Sequence, residues 1–121
     1  MKSHKDLDVW KKAIDLSVDV YRLTDIFPKS ELYAMTSQMR RASVSIASNI
    51  AEGAARRTDK DFIHFLHMAL GSASELDTQF EIVARVNLAH KDEVQVLQSK
   101  VGVISKMLYG LIRSVGNKHH G

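Results

Sequence analysis

The stretch TSQMRRASVSIASNIAEG, residues 36–53, decides the fold of this chain. A helix turns about 100° per residue, so residues three and four apart share a face, and on that spacing this stretch has two apolar faces. The first face is formed by Met35, Met39, Ala42, Ile46, Ile50 and Gly53. The second, made of small side chains, is formed by Val44, Ala47 and Ala51. An outer helix of a monomer needs one buried face, so the second face predicts a subunit interface.

A polar seam runs between these two faces. Its members are again three and four residues apart: Gln38, Arg41, Ser45, Asn49 and Glu52. Asn49 stands on a register position where an apolar residue would otherwise lie, so we expect it to be largely buried and hydrogen-bonded. Arg41 either pairs with a carboxylate, which makes the seam structural, or is presented to a phosphate or an acidic partner. The carboxylates that suit the first interpretation are Glu52, Glu31 and Glu75.

The composition is that of one globular domain. The 121 residues are 45% hydrophobic and 26% charged, with a net charge of +3 that is compatible with nucleic acid without requiring it. The absence of cysteine excludes disulfides, thiolate metal sites and cysteine nucleophiles. The first ten residues are charged and lack a signal-peptide core, and no run approaches the roughly 20 apolar residues of a membrane span. We therefore expect a cytoplasmic protein that does not contact a membrane.

Breakers divide the chain into four helical segments. The predicted loops lie at 27–30, 53–58 and 87–91, and Thr58 with Asp61 is typical of a helix N-cap. We expect helices at about 6–26, 31–53, 59–87 and 92–115, and a polar tail at 116–121.

Each segment has one apolar seam with three-four spacing. The clearest is in the fourth segment: Val94, Leu97, Val101, Ile104, Leu108, Leu111 and Val115. Such seams pack at shallow angles, and short loops make neighbouring helices antiparallel. The sequence predicts an all-α protein, an antiparallel up-down-up-down four-helix bundle with short loops, in a single domain over 1–121.

The second segment and its flanks resemble a known bacterial family. The central motifs are Ser37-Gln38-Met39-Arg40-Arg41-Ala42, Ser45-Ile46 and Asn49-Ile50-Ala51-Glu52-Gly53. The flanking motifs are Leu7-x-Val9-Trp10-x-Lys12-Ala13, Tyr21, Phe27-Pro28-x-x-Glu31, Phe62-x-x-Phe65-Leu66 and Ala69-x-Gly71-Ser72-Ala73-x-Glu75-Leu76. Over about residues 7–112 they are similar to the four-helix bundle proteins encoded in intervening sequences of 23S ribosomal RNA genes, some of which carry an S23 ribosomal protein label. The chain departs from the pattern at Tyr33-Ala34-Met35 and at Ala47-Ser48.

The resemblance implies a ring-shaped homopentamer. A related protein, the accessory protein of diversity-generating retroelements, is a basic pentameric barrel that binds nucleic acid and a reverse transcriptase. The partners implied are further copies of the chain, RNA or DNA, and a protein. Two functions follow: a nucleic-acid-binding scaffold, or an adaptor ring that presents a partner enzyme such as a reverse transcriptase without touching nucleic acid itself.

Arg56, Arg57 and Lys60 cluster beside the loop that follows Gly53. A ring would repeat this cluster around one rim, where weak phosphate contacts add together, so we predict nucleic-acid contact there. The alternative is a solvated loop. Arg40, beside the small-residue face, is a further candidate contact.

No motif indicates catalysis, a cofactor or a metal. Di-iron bundles use Glu-x-x-His, and no glutamate here is followed three residues later by histidine. His64 and His67 lie off the apolar seam without a convergent acid, and Ser43, Ser45 and Ser48 have no nearby histidine base. We expect a protein that is not an enzyme and holds neither cofactor nor metal.

Overall fold

Four α-helices build the fold in the computed structural model, which describes residues 3–117. They are α1 (Asp8–Thr24), α2 (Ser37–Ala54), α3 (Asp59–Arg85) and α4 (Lys91–Asn117). A 3-10 turn, His4–Asp6, precedes α1, and a second one, Lys29–Glu31, leads into a π-helix, Leu32–Thr36. Neighbouring helices are antiparallel, and no strand occurs between residues 3 and 117. The predicted all-α four-helix bundle is confirmed.

The helix boundaries agree with the prediction to within two residues except at the start of α2. The α-helical part of α2 begins at Ser37 and not near residue 31, because a π-helix precedes it and Ala34 leaves helical geometry at φ −121° and ψ −107°. The fourth helix continues to Asn117, so the first two residues of the predicted polar tail are helical. Residues 118–121 of that tail lie outside the described part of the chain.

The turn between α3 and α4 depends on a left-handed residue. Asn87 has φ 62°, a conformation that asparagine tolerates better than most side chains. This conformation allows the Leu88 amide to donate to the Val83 carbonyl at 3.0 Å. The Asn87 amide donates to the Ala84 carbonyl at 3.3 Å. This pattern is a Schellman motif, which satisfies carbonyls at the end of α3 and turns the chain into α4.

One core fills the space between the helices. The predicted first face of α2 is buried, with Met39, Ile46 and Ile50 fully enclosed. The other helices supply the partners, which include Leu16, Val20, Leu66, Leu76, Phe80, Ile104 and Leu108.

The first and last helices of the bundle, α1 and α4, also meet. Their seam carries an ion pair in which Lys100 Nζ lies 2.7 Å from Asp19 Oδ2. A shallow groove of about 260 Å³ runs beside it, lined by Leu16, Val103 and Ile104 among others.

Gly53 sets the closest approach of α2 to α3. A Cβ atom at this position would lie 2.7 Å from the Cβ of Phe65, 3.0 Å from the Phe62 Cδ1 atom and 3.2 Å from the Phe62 carbonyl oxygen. Ordinary carbon–carbon contacts are about 3.5–4.0 Å, so no other residue fits without moving α3. Glycine therefore brings the α2–α3 turn, and the basic residues on it, close to the bundle.

Candidate interaction surfaces

The α2–α3 turn holds the predicted basic cluster at one end of the bundle. Arg56 is the most constrained of the three cations, because its Nη2 atom donates to Glu52 Oε1 at 2.9 Å. Its guanidinium also lies over the Phe65 ring, 4.6 Å from the centroid. Arg56 therefore anchors the turn and has little freedom to meet a phosphate.

All three cations of this cluster are exposed, and Arg57 and Lys60 differ from Arg56 in having no partner. Neither side chain has a hydrogen bond or an ion pair with any other residue between 3 and 117. Thr58 lies between them and caps α3, since its side-chain oxygen accepts from the Asp61 amide at 3.1 Å, as predicted. The cap fixes the direction in which α3 leaves the turn and keeps both cations at its outer edge.

Arg40 is fixed within the bundle. Its Nε atom donates to Thr24 Oγ1 at 2.9 Å, and its guanidinium lies 4.6 Å from the centroid of the Tyr21 ring. The Thr24 hydroxyl in turn donates to the Val20 carbonyl at 2.8 Å. Arg40 thus ties α2 to the last turn of α1.

The structurally held arginine of α2 is Arg40, whereas the sequence analysis had left a structural and a phosphate-binding role open for Arg41. Arg41 is exposed, and Glu52, its expected partner on the same helix, pairs with Arg56. The residues at three-four spacing around Arg40 have small or hydroxyl side chains and are all buried: Thr36, just before α2, and Ser43 and Ala47 on it. This row of small side chains is a signal in the sequence that was overlooked, and it indicates that Arg40 is the arginine that faces into the bundle.

The polar seam divides into an inner and an outer part. Asn49 is half-buried, and its Nδ2 atom donates to the carbonyl and the hydroxyl of Ser45 at 2.9 and 3.0 Å. The Ser45 hydroxyl also lies 2.9 Å from that of Ser72, which joins α2 to α3. Asn49 is therefore hydrogen-bonded as expected but less buried than expected. The outer members, Gln38, Arg41 and Glu52, are exposed.

The face predicted to meet another subunit lies along a groove between α1 and α2. Ala47 is 5% exposed within the single chain, Ala51 is half-buried, and Val44 is 42% exposed. The groove has a volume of about 500 Å³, and α1 contributes apolar side chains to its wall: Trp10, Ile14, Val18 and Tyr21. The second face of α2 is thus partly covered by α1 of the same chain, and the unsatisfied apolar surface belongs to both helices.

Other kinds of site have little support. Within residues 3–117 no three histidine, aspartate or glutamate side chains are grouped to hold a metal ion. His64 makes an edge contact with the Phe65 ring, at 5.5 Å between centroids. None of the helices described in that range is long and apolar enough to cross a lipid bilayer.

Comparison with known proteins places this bundle in a family. Residues 5–110 match the 23S rRNA-intervening sequence protein family. The chain belongs to that family. A crystal structure of a protein of unknown function from the S23 ribosomal protein family of Bacteroides thetaiotaomicron is similar in fold, with a TM-score of 0.78 and 24% identity. The similarity covers 86% of this chain and 97% of that chain. A search of curated proteins gave no match.

Proposed function

We propose that this family member is a non-catalytic, homo-oligomeric scaffold of the bacterial cytoplasm that binds nucleic acid. The observation that carries the proposal is the pair of exposed, unpartnered cations, Arg57 and Lys60, at one end of the bundle. A closed ring, of five subunits as the family resemblance implies, would repeat that pair around a rim. Several weak phosphate contacts on one strand would then act together through effective concentration.

Assembly is supported by the apolar surface along the α1–α2 groove. Ile14, Val18 and Val44 are 38–42% exposed, and Tyr21 is 46% exposed, all along this one groove. A contiguous exposed apolar patch of this kind is typical of a protein interface. Because a ring uses two different surfaces of each subunit, the groove is one half of the contact.

The assembly test uses Val44→Glu, since Val44 is exposed in the single chain and its replacement leaves the core intact. Light scattering should show a wild-type oligomer at micromolar concentration and a smaller species for the variant, because the new carboxylate would be buried without a partner. Gln95→Glu, which adds the same charge at an exposed position on α4, should leave the particle mass unchanged. A monomeric wild-type protein would refute this part of the proposal.

The nucleic-acid test is a salt titration with the Arg57→Ala/Lys60→Ala variant. Removal of each phosphate-binding cation should reduce the slope of log affinity against log salt by about 0.7–0.9. Lys91→Ala/Lys106→Ala removes the same charge from exposed positions on α4 and should retain the wild-type slope. Equal slopes for both double variants would show that the turn does not contact phosphate.

A protein-binding adaptor is the second candidate function. The same α1–α2 groove favours it, because an apolar groove suits a partner protein as well as another subunit. An intact wild-type oligomer that binds no nucleic acid at low salt would support the adaptor and reject the scaffold.

A further inference from the structure

A second groove lies where the α1–α2 connection meets the start of α2. It has a volume of about 460 Å³ and is lined by Tyr21, Leu32, Tyr33, Thr36, Ser37, Arg40, Arg41 and Val44. Tyr33 is 93% exposed, although a tyrosine ring is a large apolar surface that water solvates poorly. An aromatic side chain held this far into solvent needs an explanation.

The backbone accounts for the position of Tyr33. It lies in the π-helix Leu32–Thr36, next to Ala34, whose φ and ψ are not helical. The chain changes direction here, and the tyrosine falls on the outside of the kink.

The charges of the groove all have one sign. Its charged lining residues are Arg40 and Arg41, and no aspartate or glutamate lines it. Arg40 is held in place by Thr24 and Tyr21. Arg41 is exposed and its side chain has no hydrogen bond or ion pair with another residue of the 3–117 range, so its guanidinium is available to an anion.

We propose that this groove binds single-stranded nucleic acid, with a base stacked on Tyr33 and the adjacent phosphate held by Arg41. Aromatic faces beside guanidinium groups are how proteins bind unpaired strands without sequence preference. Arginine presents planar paired donors that match phosphate oxygens. Free phosphate would use Arg41 alone and would leave the exposed Tyr33 ring without a role. Duplex nucleic acid suits the groove less well than a single strand, because a base inside a duplex has no free face to stack on the ring.

The inference rests on the proposed nucleic-acid function and adds base stacking at the opposite end of α2 from Arg57 and Lys60. The 18 residues of α2 make a helix about 27 Å long at 1.5 Å per residue, and the two sites lie towards its opposite ends. Tyr21 and Val44 line both grooves, so the stacking site borders the assembly face.

The test measures fluorescence anisotropy of a labelled 12-nucleotide oligouridylate and of a 12-base-pair RNA duplex. Tyr33→Ala should weaken binding of the single strand by about 5- to 150-fold, the range for removal of one base-stacking aromatic ring, and leave duplex binding unchanged. Tyr33→Phe, which retains the ring, should bind as the wild type does. Tyr109→Ala removes another exposed tyrosine, on α4, and should have no effect.

Arg41 is tested by its charge. Arg41→Ala should reduce the single-strand salt slope by about 0.7, and Arg41→Lys should retain the slope because the charge remains. The inference would be overturned if Tyr33→Ala bound the single strand with wild-type affinity. It would also be overturned if the variant differed from the wild type in particle mass, because Tyr33 would then belong to a subunit contact. Wild-type protein that binds the duplex only would overturn the inference and leave the proposed function intact. Wild-type protein that binds neither probe would overturn both the inference and the proposed nucleic-acid function.

Discussion

Replacement of Gly53 by alanine tests whether α2 and α3 approach as closely as the structure shows. Alanine is favoured over glycine inside a helix by about 1 kcal/mol, so propensity alone predicts that the variant is stabilised. The new methyl group would lie 2.7 Å from the Phe65 Cβ atom, which is attached directly to the backbone and cannot rotate away. Relief would require α3 to move by about 1 Å, given ordinary contacts of about 3.5 Å.

Overpacking of this kind costs about 1–3 kcal/mol. After the propensity gain is subtracted, Gly53→Ala should destabilise the fold by about 0–2 kcal/mol. Gly71→Ala is the matched control, because Gly71 is also inside a helix and a Cβ there has no neighbour within 4 Å. It should stabilise by up to about 1 kcal/mol. The two alanine variants should therefore differ by about 1–3 kcal/mol.

Urea unfolding followed by far-UV circular dichroism measures this difference. Both variants must be compared at one protomer concentration, because the proposed assembly would make stability depend on concentration. The m-value should stay constant, so the midpoint alone reports the change. If Gly53→Ala is stabilised as much as Gly71→Ala, the close approach of α2 to α3 is wrong.

Three further predictions concern the loop and the surface ion pairs. Asn87→Val should destabilise by about 1–2 kcal/mol in urea unfolding, since a β-branched residue resists φ 62°, and Asn87→Gly should be close to neutral. A double-mutant cycle on Lys100 and Asp19 should give a coupling of about 0.2–1 kcal/mol that falls in high salt, as for a partly exposed ion pair; a coupling of zero at low salt would mean that the pair does not form. Hydrogen bonding to Arg85 lowers the pKa of Glu81, so its contribution to stability should be present at neutral pH and be lost as pH falls through the lowered pKa. Wild type and Glu81→Gln should then converge in acid, which unfolding midpoints against pH will show.

Helical periodicity was sufficient to predict the bundle, because every helix buries one seam and few breakers interrupt the chain. Pro28, Gly53 and Asn87 lie at or beside the three connections. The beginning of α2 was misplaced because residues 31–36 contain no breaker, and no local signal distinguishes a π-helix from the α-helix that follows.

The interaction surfaces were harder to predict than the fold, since they depend on how each helix is rotated against its neighbours. Arg40 and Arg41 are chemically identical and adjacent, and it is Arg40 that the side chains of Tyr21 and Thr24 on α1 hold. The exposure of Val44 beside the buried Ala47 likewise depends on α1 covering one edge of α2. Sequence periodicity identifies the two apolar faces of α2. It does not show how much of the second face is covered by α1 of the same chain.

The Asp19–Lys100 ion pair has a consequence for the order in which the bundle forms. It joins positions 81 residues apart, whereas α2 and α3 are joined by a four-residue turn at 55–58. The entropy cost of closing a loop rises with its length, so we expect the hairpins of sequential helices to form first and the α1–α4 seam to close last. Because the seam has a partly exposed ion pair and a groove beside it, we also expect local opening of the folded bundle to begin there. Opening of this kind would separate α1 from α4 while the sequential helix pairs stay in contact.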